Sequence, residues 1–306
     1  MSQLRAQSIS VMVSNRQKCN ARCKGCISAS TQASSDYRDF WCDPQALRKG
    51  LRYAERLGAT HAILTSKSEP TLEPREYLCG LVESCSAYLP LVDIHTNGTL
   101  LQPGGVREGL LSSLEARGLT MVTYSIADHR LERNTEFMGT LQNVDYLVRT
   151  ARDLGLLVRC SVLLTKETVQ DVDDLWDYIR FMGDLGVHQI VVRELWTPSN
   201  FDPTKCGSAH PYLWSLANKV SLGSVEDDFW LRVGHVRYGL HLEERDPLPW
   251  GQRVYAVHGF ANPNHGVGVS FARCDEGQDG KVIKSIVHKP DGHGYRAWDS
   301  NADILY

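Results

Sequence analysis

Cys19-Asn20-Ala21-Arg22-Cys23-Lys24-Gly25-Cys26 carries three thiols within eight positions, separated by three and then two residues. Thiols this close can converge on one inorganic centre, and thiolate is the soft ligand that iron–sulfur clusters and zinc both accept. Three ligands on a single loop leave the fourth position of a tetrahedral or cubane centre open, and an open position is a reactive one. A structural zinc site wants four protein ligands in closed coordination. The nearest further candidates, Cys42 and His61, belong to no second C-x-x-C or H-x-x-x-H unit. Three buried cysteines without a metal are a third reading. Arg22 and Lys24 interleave with them, a composition that suits a loop around anionic thiolates better than a core segment.

Outward from this loop the chain reads as a repeated unit. Residues 8–13, Ser-Ile-Ser-Val-Met-Val, form a β-rich run that ends just before the loop. After a polar excursion, Asp43-Pro44 reads as an N-cap with proline at the first helical position. Leu47, Leu51, Ala54 and Leu57 then recur at helical spacing, and Gly58 stands where a left-handed C-cap belongs. The pattern continues with strands expected at 62–65, 91–95, 120–126, 157–164 and 189–195. Helices are expected at about 74–87, 106–117, 141–154 and 172–185, with Gly118, Gly155 and Gly186 marking three helix ends. Six strands alternating with five helices predict right-handed parallel β/α units, in an open sheet or an incomplete barrel.

Past Trp196 the repeats stop. A helix is expected over 210–220, then short strands over 232–241, 253–257, 268–272 and 282–288, with a turn at Pro290-Asp291-Gly292. This last third reads as a β-rich cap over the barrel. Trp214, Trp230, Trp250 and Trp298 are expected in its core.

Lysine and arginine number 33 against 36 acids, for a formal charge of −3 without long runs of either sign, which argues against a nucleic-acid partner. The first residues lack the apolar core of a signal peptide, and no stretch approaches the about 18 apolar residues of a membrane span. The expectation is a soluble cytoplasmic protein with no membrane partner, whose nine cysteines are free or metal-bound.

The three-cysteine loop, together with Ser66-Lys67-Ser68-Glu69-Pro70-Thr71-Leu72 one β/α unit later, resembles the radical S-adenosylmethionine (SAM) superfamily. The resemblance covers about residues 8 to 195 and favours the incomplete (β/α)6 barrel of radical SAM type with a β-rich C-terminal extension. It divides the chain at 1–196 and 197–306. It implies one four-iron four-sulfur (4Fe-4S) cluster on Cys19, Cys23 and Cys26, with SAM at the open iron. The Ser66–Leu72 stretch is similar to the family's Gly-Gly-Glu-Pro segment. Glu69 would accept from the SAM ammonium and the backbone around Ser68 would add a carbonyl, with serine standing at 66 and 68 in place of glycine. Asn97, in Asn97-Gly98, would lie near SAM, and Ser125 would contact the ribose. Val158-Arg159-Cys160-Ser161-Val162 resembles a strand of the molybdopterin-precursor cyclase group, which implies Arg159 on the SAM carboxylate and Ser161 hydrogen-bonding nearby; a structural ion pair at Arg159 is the alternative. The family often has an aromatic residue before the last cysteine, where this chain has Gly25.

The resemblance further implies reductive cleavage of SAM to a 5′-deoxyadenosyl radical that abstracts hydrogen from substrate, fed by an external one-electron reductant such as flavodoxin or ferredoxin. With no winged-helix peptide-binding segment or cobalamin-type domain evident, the favoured substrate is a small polar metabolite: a nucleoside, sugar or amino-acid derivative. Asp128, His129, Arg193 and Trp196, at strand ends, are the substrate-contact candidates. Only Cys206 and Cys274 follow the barrel, too few for a second cluster. Cys274 could instead return a hydrogen atom to a substrate radical, as in a radical epimerase or peptide-modifying enzyme. An iron–sulfur electron carrier and a zinc-stabilised binding module are the competing classes.

Overall fold

The computed structural model describes residues 4–14, 19–30, 41–197, 210–233, 236–237, 239–248, 252–273, 282–298 and 303–306. The chain opens with β1 (Arg5–Met12) and, beyond the cysteine loop, the short α1 (Ile27–Ser30). It then alternates through α2 (Pro44–Arg56), β2 (His61–Thr65), α3 (Arg75–Ser86), β3 (Leu91–Thr96), α4 (Leu110–Glu115) and β4 (Met121–Ser125). There follow α5 (Leu131–Met138), α6 (Val144–Asp153), β5 (Leu157–Leu164), α7 (Val172–Leu185) and β6 (Gln189–Glu194). Local chemistry sets these elements where the sequence places them. Asp43 caps α2 by accepting from the amides of Gln45 and Ala46 at 3.0 and 2.8 Å, with Pro44 at the first position. Gly186 ends α7 at φ +87°, the left-handed region that suits glycine.

Strands β1 to β6 pair in sequence order, each parallel to the next. Right-handed crossovers that always step the same way put every helix on one face of the sheet, which curls it into a partial barrel. The side chains divide accordingly. Val92 and Ile94, Val122 and Tyr124, Val158, Cys160 and Val162 are fully buried under the helices. Their neighbours along each strand point the other way. That inner face is polar: Ser8 and Ser10, His61, Asp93 and His95, Thr123 and Ser125, Arg159 and Ser161, Gln189.

The C-terminal third adds α8 (Pro211–Asn218), α9 (Leu222–Trp230), β7 (Val236–Arg237), β8 (Leu240–Arg245), β9 (Val254–His258), β10 (Gly266–Ala272), β11 (Val282–His288) and β12 (Gly294–Tyr295). Its strands extend the barrel sheet at both edges. The antiparallel run β7 to β10 docks through β10 parallel to β6, while β11 lies parallel to β1 and carries β12. Among the described residues no helix is long and apolar enough to cross a membrane.

Several elements differ from expectation. The helix expected over 106–117 shrinks to α4, because Gly109 at φ +76° breaks its first turn. The strand expected over 232–241 is divided between β7 and β8, with Gly239 at φ +80°. Neither α5 nor α9 was expected. The core placement of the tryptophans is corrected too. Trp230 is 43% exposed, with the Arg253 guanidinium 5.5 Å over its ring, and Trp214 and Trp298 are only half-buried. Trp250 lies outside the described residues. Among the described residues the fully buried indole is Trp176 of α7, against Phe229.

Candidate metal centre and its surroundings

The cysteine loop is docked onto the barrel by backbone first. Arg22 and Lys24 donate their amides to the carbonyls of Met138 and Phe137, at 2.8 and 3.0 Å, so the loop lies on the last turn of α5. Gly139 ends that helix at φ +64°, and a Cβ there would come within 3.0 Å of Arg22. Ala21 packs into a small apolar cluster with Ala127, Phe137 and Met138. The Lys24 ammonium bridges Glu136 and Glu167 at 2.7 and 2.6 Å, and Glu167 also accepts from the Trp214 indole at 3.2 Å. Gly25 sits beneath α8. A Cβ at this position would stand 2.6 Å from Leu195 and 2.9 Å from Trp214, so the C-terminal third requires the smallest residue here.

The end of β3 meets the loop from the other side. The Asn97 side chain donates to Asn20 at 2.9 Å and toward the Cys19 sulfur at 3.8 Å, and accepts from Thr99 through its oxygen. Asn20 in turn donates to the Thr99 hydroxyl. Beneath them Gln142 bonds the carbonyls of Asn97 and Ser125 and accepts from Asn134 at 2.6 Å, and Asn134 accepts the amides of Ala127 and Asp128. This buried relay fixes the ends of β3 and β4 relative to each other.

Glu69 is 2% exposed and already holds four hydrogen bonds. Its Oε1 accepts from the Thr71 amide, the Thr71 hydroxyl and the Thr96 hydroxyl, and its Oε2 accepts from the Asn97 amide at 2.7 Å. Burial raises its pKa against the pull of these donors. Oε2 is the atom with acceptor capacity left. Ser68 bonds the Ser66 hydroxyl, which also donates to the Ser14 carbonyl. Ser125, the last residue of β4, stands in register beside Ser161 in the middle of β5, with Ser125 exposed.

Three candidates already have protein partners. The Arg159 guanidinium donates to Gln189 at 2.9 and 2.7 Å and to Asp93 at 3.3 Å, the ion pair named as the alternative. Asp128 is fully buried and engaged by the Arg130 guanidinium and amide, each at 2.8 Å. His129 packs against Tyr178 and Phe181 of α7, on the helical side of the sheet, and burial lowers its pKa. Arg193, near the end of β6, and Trp196 just beyond it are partly exposed. Cys274 and Cys206 lie outside the described residues.

The three loop thiols sense one another. Burial first, then the charges of Cys26 and Cys19, push the Cys23 thiol up to about 12, and burial is also the main cause that raises Cys19. Without a cation Cys19 and Cys23 therefore resist ionisation, and a cationic centre would relieve that opposition. Soft donors of one type, drawn from one loop, fit an iron–sulfur cluster with one open position. Cys42, Cys79, Cys85 and Cys160 are buried in the core, apart from this loop.

Asn20, Asn134 and Gln142 are additions to the residues singled out from the sequence. Asn20 stands inside the quoted motif, whereas Asn134 and Gln142 are brought in by tertiary structure and carry no local signal.

No protein-family model and no curated protein matches the sequence. Solved structures do. The crystal structure of Streptococcus suis SuiB bound to S-adenosylmethionine matches with a TM-score of 0.63 at 14% identity, over 98% of this chain and 63% of that one. A second crystal structure of SuiB gives 0.56 at 13% identity, over 96% and 60%. Coproporphyrinogen III oxidase (HemN) from Escherichia coli, titled a radical SAM enzyme, is looser at 0.47 and 12%, over 76% and 52%. The chain spans less than two thirds of SuiB's length. The likeness to SuiB runs past residue 195, where the sequence resemblance stopped, and takes in the C-terminal third. This chain has a partial parallel β/α barrel, the fold that it shares with SuiB.

Proposed function

We propose that this protein is a radical SAM enzyme that binds one 4Fe-4S cluster through Cys19, Cys23 and Cys26 and abstracts hydrogen from a small polar metabolite. The observation that carries the reading is the placement of the three-thiol loop: Asn97 ties it to the carboxyl end of β3, above a polar barrel interior. Cluster and SAM together would supply a one-electron cleavage and a hydrogen-abstracting radical. The chain's own groups bind and orient. Glu69 Oε2 and the backbone near Ser68 would meet the SAM ammonium, Asn97 would hold the loop against it, and Ser125 with Ser161 would face the ribose. Arg193 and Trp196 are the remaining substrate contacts of this reading.

Residues 197–306 would shape the substrate pocket from above β6, where Trp214 and Leu195 already close over Gly25. The partners of this reading are the metabolite and an external one-electron reductant such as flavodoxin or ferredoxin, in the cytoplasm. The test is anaerobic reconstitution with iron and sulfide analysis, followed by a 5′-deoxyadenosine assay with SAM and a reductant. Bound cluster with 5′-deoxyadenosine supports the reading. A cluster without SAM cleavage points to an electron carrier, and zinc in place of iron to a binding module.

A further inference from the structure

The barrel interior holds a second polar centre directly below the cysteine loop. On β3 the inward positions are Asp93, His95 and, just past the strand, Asn97. Two residues of strand, about 6.6 Å, separate the level of His95 from that of Asn97, which reaches Cys19. Asp93 is fully buried, and its carboxylate collects Thr123 at 2.8 Å, His95 Nε2 at 3.1 Å and Arg159 at 3.3 Å, with His61 at 3.7 Å. Burial alone would raise this carboxyl. The His95, Arg159 and His61 side chains nevertheless hold it well below the usual carboxylate range.

An ionised Asp93 can only accept, so His95 Nε2 is the donor and, in the neutral ring, Nδ1 is left as an acceptor. Nδ1 has no hydrogen-bond partner among the described residues, and the His95 side chain is 23% exposed while Asp93 is sealed. One nitrogen of the ring is thus anchored while the side chain stays partly open on the inward side of β3.

We propose that His95 is a substrate-binding residue, its Nδ1 accepting a hydrogen bond from a hydroxyl or N–H of a metabolite held in the barrel. Asp93 fixes the ring's tautomer and orientation, and Arg159 holds Asp93; both are positioning residues. This rests on the reading under Proposed function and narrows its substrate class to molecules that carry such a donor.

The test uses reconstituted full-length protein, SAM, a reductant and, as probe, the small-molecule extract of cells grown in heavy water. Deuterium in 5′-deoxyadenosine reports abstraction from a bound metabolite. His95→Gln keeps a donor for Asp93 but has no ring nitrogen at the Nδ1 position, and the deuterated fraction of its 5′-deoxyadenosine is expected to fall at least about tenfold. An unchanged fraction overturns the proposal, as does a wild type that cleaves SAM but takes up no deuterium. If the Gln variant loses iron or fold, His95→Asn is read in its place; it retains an acceptor near the Nδ1 position, and loss of deuterium transfer there counts against us. A wild type that forms no 5′-deoxyadenosine refutes the radical reading itself, and this inference with it.

Discussion

Asn97 donates one side-chain amide both to Asn20, at 2.9 Å, and toward the Cys19 sulfur, at 3.8 Å, so the end of the third strand is tied to two residues of the cysteine loop at once. Asn97→Ala removes that joint and leaves Asn20 short of a partner. We expect about 1–3 kcal/mol lower unfolding stability and several-fold faster iron loss to a chelator. Iron retention equal to wild type would show that the α5 contacts suffice.

Single replacement of Cys19, Cys23 or Cys26 by alanine is expected to abolish both cluster assembly and SAM cleavage, since each supplies one of three ligands. Iron, sulfide and 5′-deoxyadenosine are measured side by side. Any one variant with normal cleavage removes the assignment.

Iron should saturate at about four per chain. Cys42, Cys79, Cys85 and Cys160 are buried, and burial drives Cys85 and Cys160 up to about 12, the behaviour of packing thiols. About eight irons per chain would demand a second site. Cys274→Ala, assayed for turnover, decides separately whether that thiol returns a hydrogen atom.

Gly25→Ala places a methyl 2.6 Å from Leu195 and 2.9 Å from Trp214, and should cost about 1–3 kcal/mol by overpacking. Denaturant unfolding of Gly25→Ala, Trp214→Ala and the double variant gives the coupling. Simple additivity would mean that α8 yields without cost.

Acid should destabilise the protein partly through His288. Burial is the main cause that lowers its pKa to about 4 from the usual 6.5, so the folded state keeps it neutral where the unfolded chain would protonate it. Its contribution is intact above about pH 6.5 and is lost as pH falls towards 4, up to about 3 kcal/mol in all. His288→Phe should flatten the stability–pH curve in that window. A slope unchanged from wild type would assign the loss to other groups.

The barrel was legible because its signals are local: Asp43-Pro44 starts α2, Gly186 stops α7, and β5 occupies the residues expected. α5 escaped notice because its N-cap, Arg130, makes no side-chain cap bond and its buried stripe is only Asn134, Phe137 and Met138. Yet that helix seats the cysteine loop. Glu69 is singled out by its motif alone, whereas its bonds to Thr96 and Asn97 depend on β2 lying beside β3. Arg159 was recognised as an inward charge, but its partner could not be chosen without the strand register that brings Asp93 and Gln189 to it.

The pairing of β11 with β1 also sets an order of events during synthesis. Ser8 donates to the carbonyl of Lys284, 276 residues further along the chain. The ribosome adds about 5–20 residues per second, so the first strand emerges on the order of tens of seconds before this neighbour exists. Until then one of its edges is open to other strands. That edge is covered only once residues 282–288 have been made and laid beside it.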